Sequence, residues 1–182
     1  MKKFLLLIVC LLTINVIFAQ RYYTKTAQLS FDAGTGLEDI KGVNKSSMTV
    51  IDVPTGQIQI STLIKGFEFE SQLMQDHFNE NYMESDKYPK STFSGVIVNI
   101  TNIDFKKNGT YTANVKGMLE IHGVKNPVET RVKFVVNGDN VNATCDFVIV
   151  LSQYKISIPS LVADKLSKTA KINVNCNYQP LK

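Results

Sequence analysis

The sequence contains few of the residue types from which catalytic and recognition sites are commonly built. Its 182 residues include no tryptophan, two histidines and three cysteines. The absence of tryptophan weighs against a carbohydrate site made from stacked indole rings. The G-x-S-x-G, H-E-x-x-H and C-x-x-C spacings and a phosphate-binding glycine loop are also absent, so common hydrolase, metalloprotease, redox and nucleotide-binding sites have no support.

Blocks of lysine and arginine are absent as well. The formal net charge of +4 falls to +2 when Lys2 and Lys3, at the extreme N-terminus, are set aside. A protein that binds nucleic acid through its phosphates shows a basic patch or stripe. We therefore expect no nucleic-acid partner for this nearly neutral chain.

The first nineteen residues, MKKFLLLIVCLLTINVIFA, have the layout of a secretory signal peptide of bacterial type. Two lysines precede a mostly apolar run that ends in the small residue Ala19, which is typical of a cleavable leader. A membrane anchor is the alternative, but the run is shorter than the roughly 20 residues of a spanning helix. We expect cleavage near Ala19, a location in the periplasm or outside the cell, and one domain over residues 20–182.

Apolar and polar residues alternate with a period of two through most of the chain after Gly56. This period is typical of strands with one buried face, and the pairs Asn108-Gly109 and Asn137-Gly138 predict tight hairpin turns with positive φ. Further strands are predicted at residues 27–33, 40–44 and 48–53. The pattern as a whole indicates an all-β fold.

Two segments depart from this alternation. SQLMQDHFNENYM (71–83) and PSLVADKLSK (159–168) place apolar residues at helical spacing, which predicts two short helices. Strands of eight to ten residues with one apolar face must hide their edges in a sandwich or a closed barrel. We expect an extended antiparallel barrel of about eight strands, a size that can hold one small ligand.

Three stretches, FEFESQLMQDHFNENYMESDKYPKSTFSG, GMLEIHGVKNPV and FVIVLSQYKISIP, resemble in order and spacing the motifs of the YceI-like family. That resemblance implies a lipocalin-like antiparallel barrel, exported from the cytoplasm, whose apolar interior takes the tail of a polyisoprenoid or fatty amphiphile. It implies binding rather than catalysis, with no cofactor. Peripheral contact with a membrane during lipid exchange would accompany this role, and a homodimer stays open.

The predicted inward positions supply an apolar wall for such a tail, and none of them is charged. They are Phe67, Phe69, Leu73, Phe78, Val115, Leu119, Val132, Phe134, Phe147, Ile149, Ile156, Ile158 and Val174. The alternative is that the same side chains fill a dry core, in which case the barrel would serve as a protein-interaction or stress-response module.

The segment around His77 has two interpretations. On a helix, His77, Glu80 and Glu84 would share one face and could ligate a divalent metal, which would support a metal-dependent activity. We favour the second interpretation, in which residues 71–83 form a lid over one barrel end and no metal is bound. His77 and Tyr82 would then belong to the lid, with head-group contacts from Tyr154 and Lys155.

Other polar residues have simpler predicted positions. His122 is expected on the outward face of its strand, together with Met118 and Glu120. Glu68, Glu70 and Glu120 could supply the paired carboxylates of an acid–base enzyme. The alternation of Glu68 and Glu70 with Phe67 and Phe69 instead favours the solvent face of a strand.

Cys145 and Cys176 are both predicted to point inward from neighbouring antiparallel strands. If the connection between those strands is symmetrical, the two cysteines lie directly opposite one another. We expect buried free thiols, with a disulfide as the alternative in an oxidising compartment.

Overall fold

Eight antiparallel strands close into one barrel in the computed structural model, which describes residues 20–181. Each strand pairs with the next along the chain, and β8 pairs with β1. The strands are β1 (Arg21–Gly34), β2 (Lys41–Asp52), β3 (Gln57–Leu63), β4 (Lys90–Ile97), β5 (Gly109–Ile121), β6 (Val124–Asn137), β7 (Asn140–Val150) and β8 (Leu166–Pro180). The predicted signal peptide, residues 1–19, lies outside the described residues.

The expected all-β barrel is confirmed, and the alternation explains it strand by strand. On β6, Val132 and Phe134 are buried, whereas Arg131 before them and Lys133 between them are exposed. The same rule holds on β8, where Val174 and its inward neighbours are buried. Closure leaves no strand edge open within residues 20–181, so every strand gains backbone partners on both sides.

One of the two predicted helices is present. Residues 71–83 contain α1 (Gln72–His77), which continues as a π-helical turn over Phe78–Tyr82. The helix predicted at residues 159–168 is wrong. A short 3-10 turn covers Ser160–Val162, and Leu166 already begins β8, because its backbone is taken up by pairing with Gly34 of β1.

The N-terminal segment forms two long strands instead of the three short ones predicted. The strands predicted at residues 40–44 and 48–53 merge into one strand, β2 (Lys41–Asp52), and a bulge absorbs the polar residues between them. There the buried Asn44 side chain accepts hydrogen bonds from the Ser46 backbone N–H, at 2.9 Å, and the Ser47 hydroxyl, at 3.1 Å. The sequence pattern divides the strand at this point because bulge residues interrupt the period of two.

The hairpin turns confirm one glycine prediction and correct another. Gly138 adopts a φ of 59° in the β6–β7 turn, as expected. Gly109 begins β5 without a positive φ, and Asn108 instead accepts a hydrogen bond from the Gly138 N–H, at 2.8 Å. The β5–β6 turn consists of His122 and Gly123, with φ of 51° and 72°, which are the positive angles of a two-residue hairpin.

The predicted pairing of the two cysteines is wrong by two residues. Cys145 lies opposite Val174, and Cys176 lies opposite Ala143. Both thiols are free, so the disulfide alternative is not realised. The shift arises because the β7–β8 connection is asymmetric, with a 3-10 turn at Leu151–Tyr154 directly after β7.

The two ends of the barrel differ. At one end Tyr22 stacks on Phe105, with ring centroids 5.3 Å apart, and neighbouring aliphatic side chains pack solidly around them. At the other end, which we call the mouth, lie the β1–β2, β3–β4, β5–β6 and β7–β8 connections. Among residues 20–181, no helix is long and apolar enough to cross a bilayer.

A buried hydrogen bond joins strands on either side of β1. The hydroxyls of Thr49 on β2 and Tyr178 on β8 are 2.9 Å apart, and both residues are almost completely buried. Burial raises the pKa of the Tyr178 phenol well above its ordinary value, so the group stays neutral and needs a partner.

Replacing Thr49 by Val should lower the free energy of unfolding by about 1–3 kcal/mol, because the Tyr178 hydroxyl loses this partner in a dry environment. Urea denaturation measures the change. The double variant Thr49→Val/Tyr178→Phe is the control, since it removes both polar groups and should lose less than the sum of the single changes. Wild-type stability in Thr49→Val would contradict this account.

Candidate ligand-binding cavity

The barrel encloses a cavity that extends inward from the mouth. Its volume is about 560 Å³, which lies within the range of known small-molecule sites. Its lining is predominantly apolar. Eleven of the thirteen predicted wall residues contribute to it, namely Phe67, Phe69, Leu73, Phe78, Val115, Leu119, Val132, Phe147, Ile149, Ile156 and Val174. His77 and Tyr82 of the lid also line it. The interior is therefore not solidly filled by side chains at this end.

Four predicted residues lie outside the cavity. Phe134 faces inward but is fully buried in the solid cluster at the closed end. Ile158 packs against the cluster near the mouth without reaching the space. Tyr154 is buried in the 3-10 turn after β7, and Lys155 is exposed with a φ of 58°, so neither is placed to contact a head group within the cavity.

Sequence reasoning missed much of the wall formed by the N-terminal half. Leu29, Phe31 and Ala33 of β1 line the cavity, as do Ile60 of β3 and Phe93 of β4. The β1 residues recur with a period of two inside a segment that was predicted as a strand. That period was the sequence signal for these wall residues. Which side of β1 faces inward became clear only from its pairing with β8.

Two glycines make room for one of these side chains. Gly95 on β4 and Gly117 on β5 are directly paired, and both occupy inward positions. A Cβ atom added to either glycine would lie within 2.7 Å of the Phe93 ring. The tip of the Phe93 ring therefore occupies the space that side chains at these two positions would take.

The lid, residues 71–83, is attached to the barrel by aromatic packing. Its Phe78 ring stacks on Phe31 of β1, with centroids 5.3 Å apart, and contacts Phe67 and Phe69 at 5.6 and 5.0 Å. Phe67 and Phe69 precede the lid, and Glu68 between them pairs with Val43 of β2 through the backbone. The lid is thus anchored at the start of the β3–β4 connection.

A second attachment lies just beyond the lid. His122, in the β5–β6 turn, contacts the Glu84 carboxylate through Nε2 at 2.6 Å and the Tyr154 carbonyl through Nδ1 at 3.1 Å. Its ring also packs edge-on against Tyr88, at 4.6 Å. His122 therefore joins three of the connections at the mouth, which corrects the expectation that it faces outward from a strand.

Formal charge is confined to one end of the cavity. Apart from His77 on the lid, the charged lining residues are Glu38 and Lys165, which form an ion pair of 3.1 Å at the mouth. The deep end is lined by Cys145, Cys176 and Tyr178. The site is therefore polar at its entrance and apolar along its length.

The two cysteines at the deep end of the cavity have unreactive thiols. Burial raises the pKa of the Cys145 thiol to about 11 and that of the Cys176 thiol to about 12. Because the thiolate is the reactive form, neither thiol is suited to nucleophilic chemistry near neutral pH. Their role in the cavity is that of small apolar side chains.

The metal and carboxylate alternatives are not assembled in the structure. His77 lines the cavity, whereas Glu84 turns toward His122, and within residues 20–181 no group of three His, Cys, Asp or Glu side chains could hold a metal ion. Glu68 and Glu70 are exposed at the barrel surface. Glu120 faces Lys125 at 3.6 Å and is likewise remote from the cavity.

Replacing His122 by Asn should loosen the lid without disrupting the hairpin, because Asn tolerates the positive φ but is too short to reach Glu84. Loss of a hydrogen bond to a charged group should speed amide exchange in the lid about tenfold or more. Hydrogen–deuterium exchange with peptide resolution measures this. Lys125→Gln, which removes an exposed ion pair from the same hairpin, is the control and should leave lid exchange unchanged. Equal lid exchange in His122→Asn and wild type would refute the attachment.

Solved structures share this architecture at low sequence identity. A polyisoprenoid binding domain from Saccharophagus degradans, described as implicated in plant cell wall breakdown, superposes with a TM-score of 0.76 at 13% identity, covering 88% of this chain and 98% of that one. BcnA from Burkholderia cenocepacia gives 0.68 at 18% identity, covering 84% and 95%. The YceI protein of Campylobacter jejuni gives 0.58 at 17% identity, covering 81% and 88%.

Sequence comparison identifies the family of this chain. No curated protein sequence matches the chain significantly. The family model described as the YceI-like domain, however, matches residues 21–178, which is nearly the whole barrel. With the closed eight-stranded architecture, this match shows that the chain belongs to the YceI-like family.

Proposed function

We propose that this protein binds a long-chain amphiphile, such as a polyisoprenoid lipid, with its tail in the barrel cavity and its head group at the mouth. The observation that carries the proposal is the distribution of polarity. The cavity is apolar from β1 to β8, and its formal charges, Glu38 and Lys165, lie at the entrance. An amphiphile has the same arrangement along its own length.

The energetics favour a long tail over a short one. Burial of apolar surface contributes roughly 25 cal/mol per Å², so a tail that buries about 600 Å² gains roughly 15 kcal/mol. Association costs on the order of 4–15 kcal/mol in lost freedom. With no charged partner in the interior to add affinity, a useful complex requires an extended hydrocarbon.

Three further observations support this role. The related Saccharophagus degradans structure is named a polyisoprenoid binding domain, and this chain shares its fold. The N-terminal residues have the layout of a signal peptide, which favours a location in the periplasm or outside the cell. Neutral buried thiols and the scattered carboxylates favour binding rather than catalysis.

The first test is a series of isoprenoid alcohols: geraniol, farnesol, geranylgeraniol and solanesol. Affinity should rise at least about tenfold with each added isoprene unit until the cavity is full, because each unit buries more apolar surface. Displacement of bound anilinonaphthalene sulfonate, followed by fluorescence, gives the dissociation constants. Affinity independent of length would overturn the proposal and favour a protein-interaction role.

The second test fills the cavity. Ala143 is buried and lines the cavity, so Ala143→Phe should occupy space that the tail needs and weaken geranylgeraniol binding at least about tenfold. Thr112→Phe adds a ring on the exposed face of β5 and is the matched control. Thermal unfolding shows whether each variant folds. A folded Ala143→Phe protein with wild-type affinity would show that the cavity is not the binding site.

A further inference from the structure

The three most exposed large hydrophobic side chains within residues 20–181 are all leucines from the mouth. Leu161, Leu37 and Leu73 are 89%, 74% and 63% exposed. Leu37 lies in the β1–β2 connection, Leu73 in α1 of the lid, and Leu161 in the 3-10 turn before β8. Single exposed hydrophobic residues are ordinary, but three from separate connections at one barrel end form an apolar feature.

Direct contacts bring these connections together. The Thr35 hydroxyl donates to the Asp164 carbonyl at 2.9 Å, and Lys165 pairs with Glu38 at 3.1 Å, so the segments that carry Leu37 and Leu161 touch. Glu38, Leu73 and Lys165 line the same cavity. Because Leu73 and Lys165 are also exposed, the cavity reaches the surface between them. The segments that carry the three leucines therefore border its entrance.

The charge around the entrance indicates which kind of surface could cover it. The segments around the entrance carry more carboxylates than cationic side chains. Within residues 35–40, 71–82 and 159–165, the cationic residue is Lys165, whereas the acidic residues are Glu38, Asp39, Asp76, Glu80 and Asp164. Recruitment by anionic lipid requires clustered lysine and arginine, which these segments lack. An apolar rim with a slightly acidic surround suits the interface of an uncharged, zwitterionic lipid layer.

We propose that the mouth docks on a phospholipid bilayer by inserting Leu37, Leu73 and Leu161, so that a lipid tail passes between membrane and cavity without crossing water. This inference rests on the proposed lipid binding and adds the surface through which the ligand enters. Insertion follows the behaviour of exposed apolar side chains at membrane interfaces, where affinity scales with the apolar area that is buried. Anionic lipid is not required.

The test compares binding of the protein without residues 1–19 to phosphatidylcholine vesicles by flotation. The double variant Leu37→Ser/Leu161→Ser changes two exposed residues that do not line the cavity. Its vesicle partition coefficient should fall about tenfold or more, because each buried leucine contributes a transfer free energy of that order. Addition of phosphatidylglycerol should not raise wild-type partition, because anionic lipid repels the carboxylates around the entrance. On phosphatidylcholine alone, a change of salt from low to high should leave partition nearly unchanged.

The matched control is Met48→Gln/Val148→Thr, which removes two exposed apolar side chains from the barrel wall instead of the mouth. It should bind vesicles like wild type. Geranylgeraniol binding without vesicles should be the same in the leucine variant and in wild type. If neither protein binds geranylgeraniol, the proposed lipid binding has failed, and this result is distinct from a failure of docking.

Three outcomes would overturn the docking proposal. One is equal vesicle partition of the leucine variant and wild type, and another is binding that depends on phosphatidylglycerol. The third is that a second copy of the chain, and not a bilayer, covers the mouth. Sedimentation would then show a wild-type dimer that Leu37→Ser/Leu161→Ser converts to a monomer, with no vesicle binding by either protein.

Discussion

Pairing of β8 with β1 is the interaction on which the rest of this structure depends. It joins the last strand to the first along most of their lengths and turns a meander of eight strands into a closed barrel. Without it, β1 and β8 would present unpaired backbone groups, and the inward faces of Phe31 and Ile172 would lose their enclosure. Closure therefore creates the edge-free wall and the interior at the same time.

Within that wall, side-chain size decides where the interior is solid. At the closed end, Tyr22, Phe105 and Phe134 interdigitate with aliphatic residues and leave little space. Next to this cluster, Ala143 lines the deep end of the cavity with only a methyl group, and the paired Gly95 and Gly117 add no side-chain volume to the inward face of the wall. The cavity is the result of this gradient, because a barrel of eight strands is just wide enough for side chains to fill or for one ligand to occupy.

The lid depends on two kinds of contact with different physical character. Phe78 packs among the rings of the β1 strand and the preceding segment, which buries apolar surface without directional constraint. His122 contacts Glu84 and Tyr154 through both ring nitrogens, which fixes one arrangement of three connections. The lid is thus held by non-directional aromatic packing on one side and by a directional polar contact on the other.

The sequence by itself determined the all-β class, the barrel, the family and the inward side of strands β5 to β8, because these follow from a period of two and from motifs that are local in the chain. It also determined the lid helix through the spacing of Leu73, Met74 and Phe78. Only the tertiary structure decided depth along the barrel. Val132 and Phe134 share one face of β6, yet Val132 lines the cavity and Phe134 packs in the closed end. Periodicity reports the side of a strand and carries no information about the opposite wall. For the same reason, the shifted pairing of Cys145 on β7 with β8 and the contact between His122 and Glu84 at the mouth became visible only in the tertiary structure.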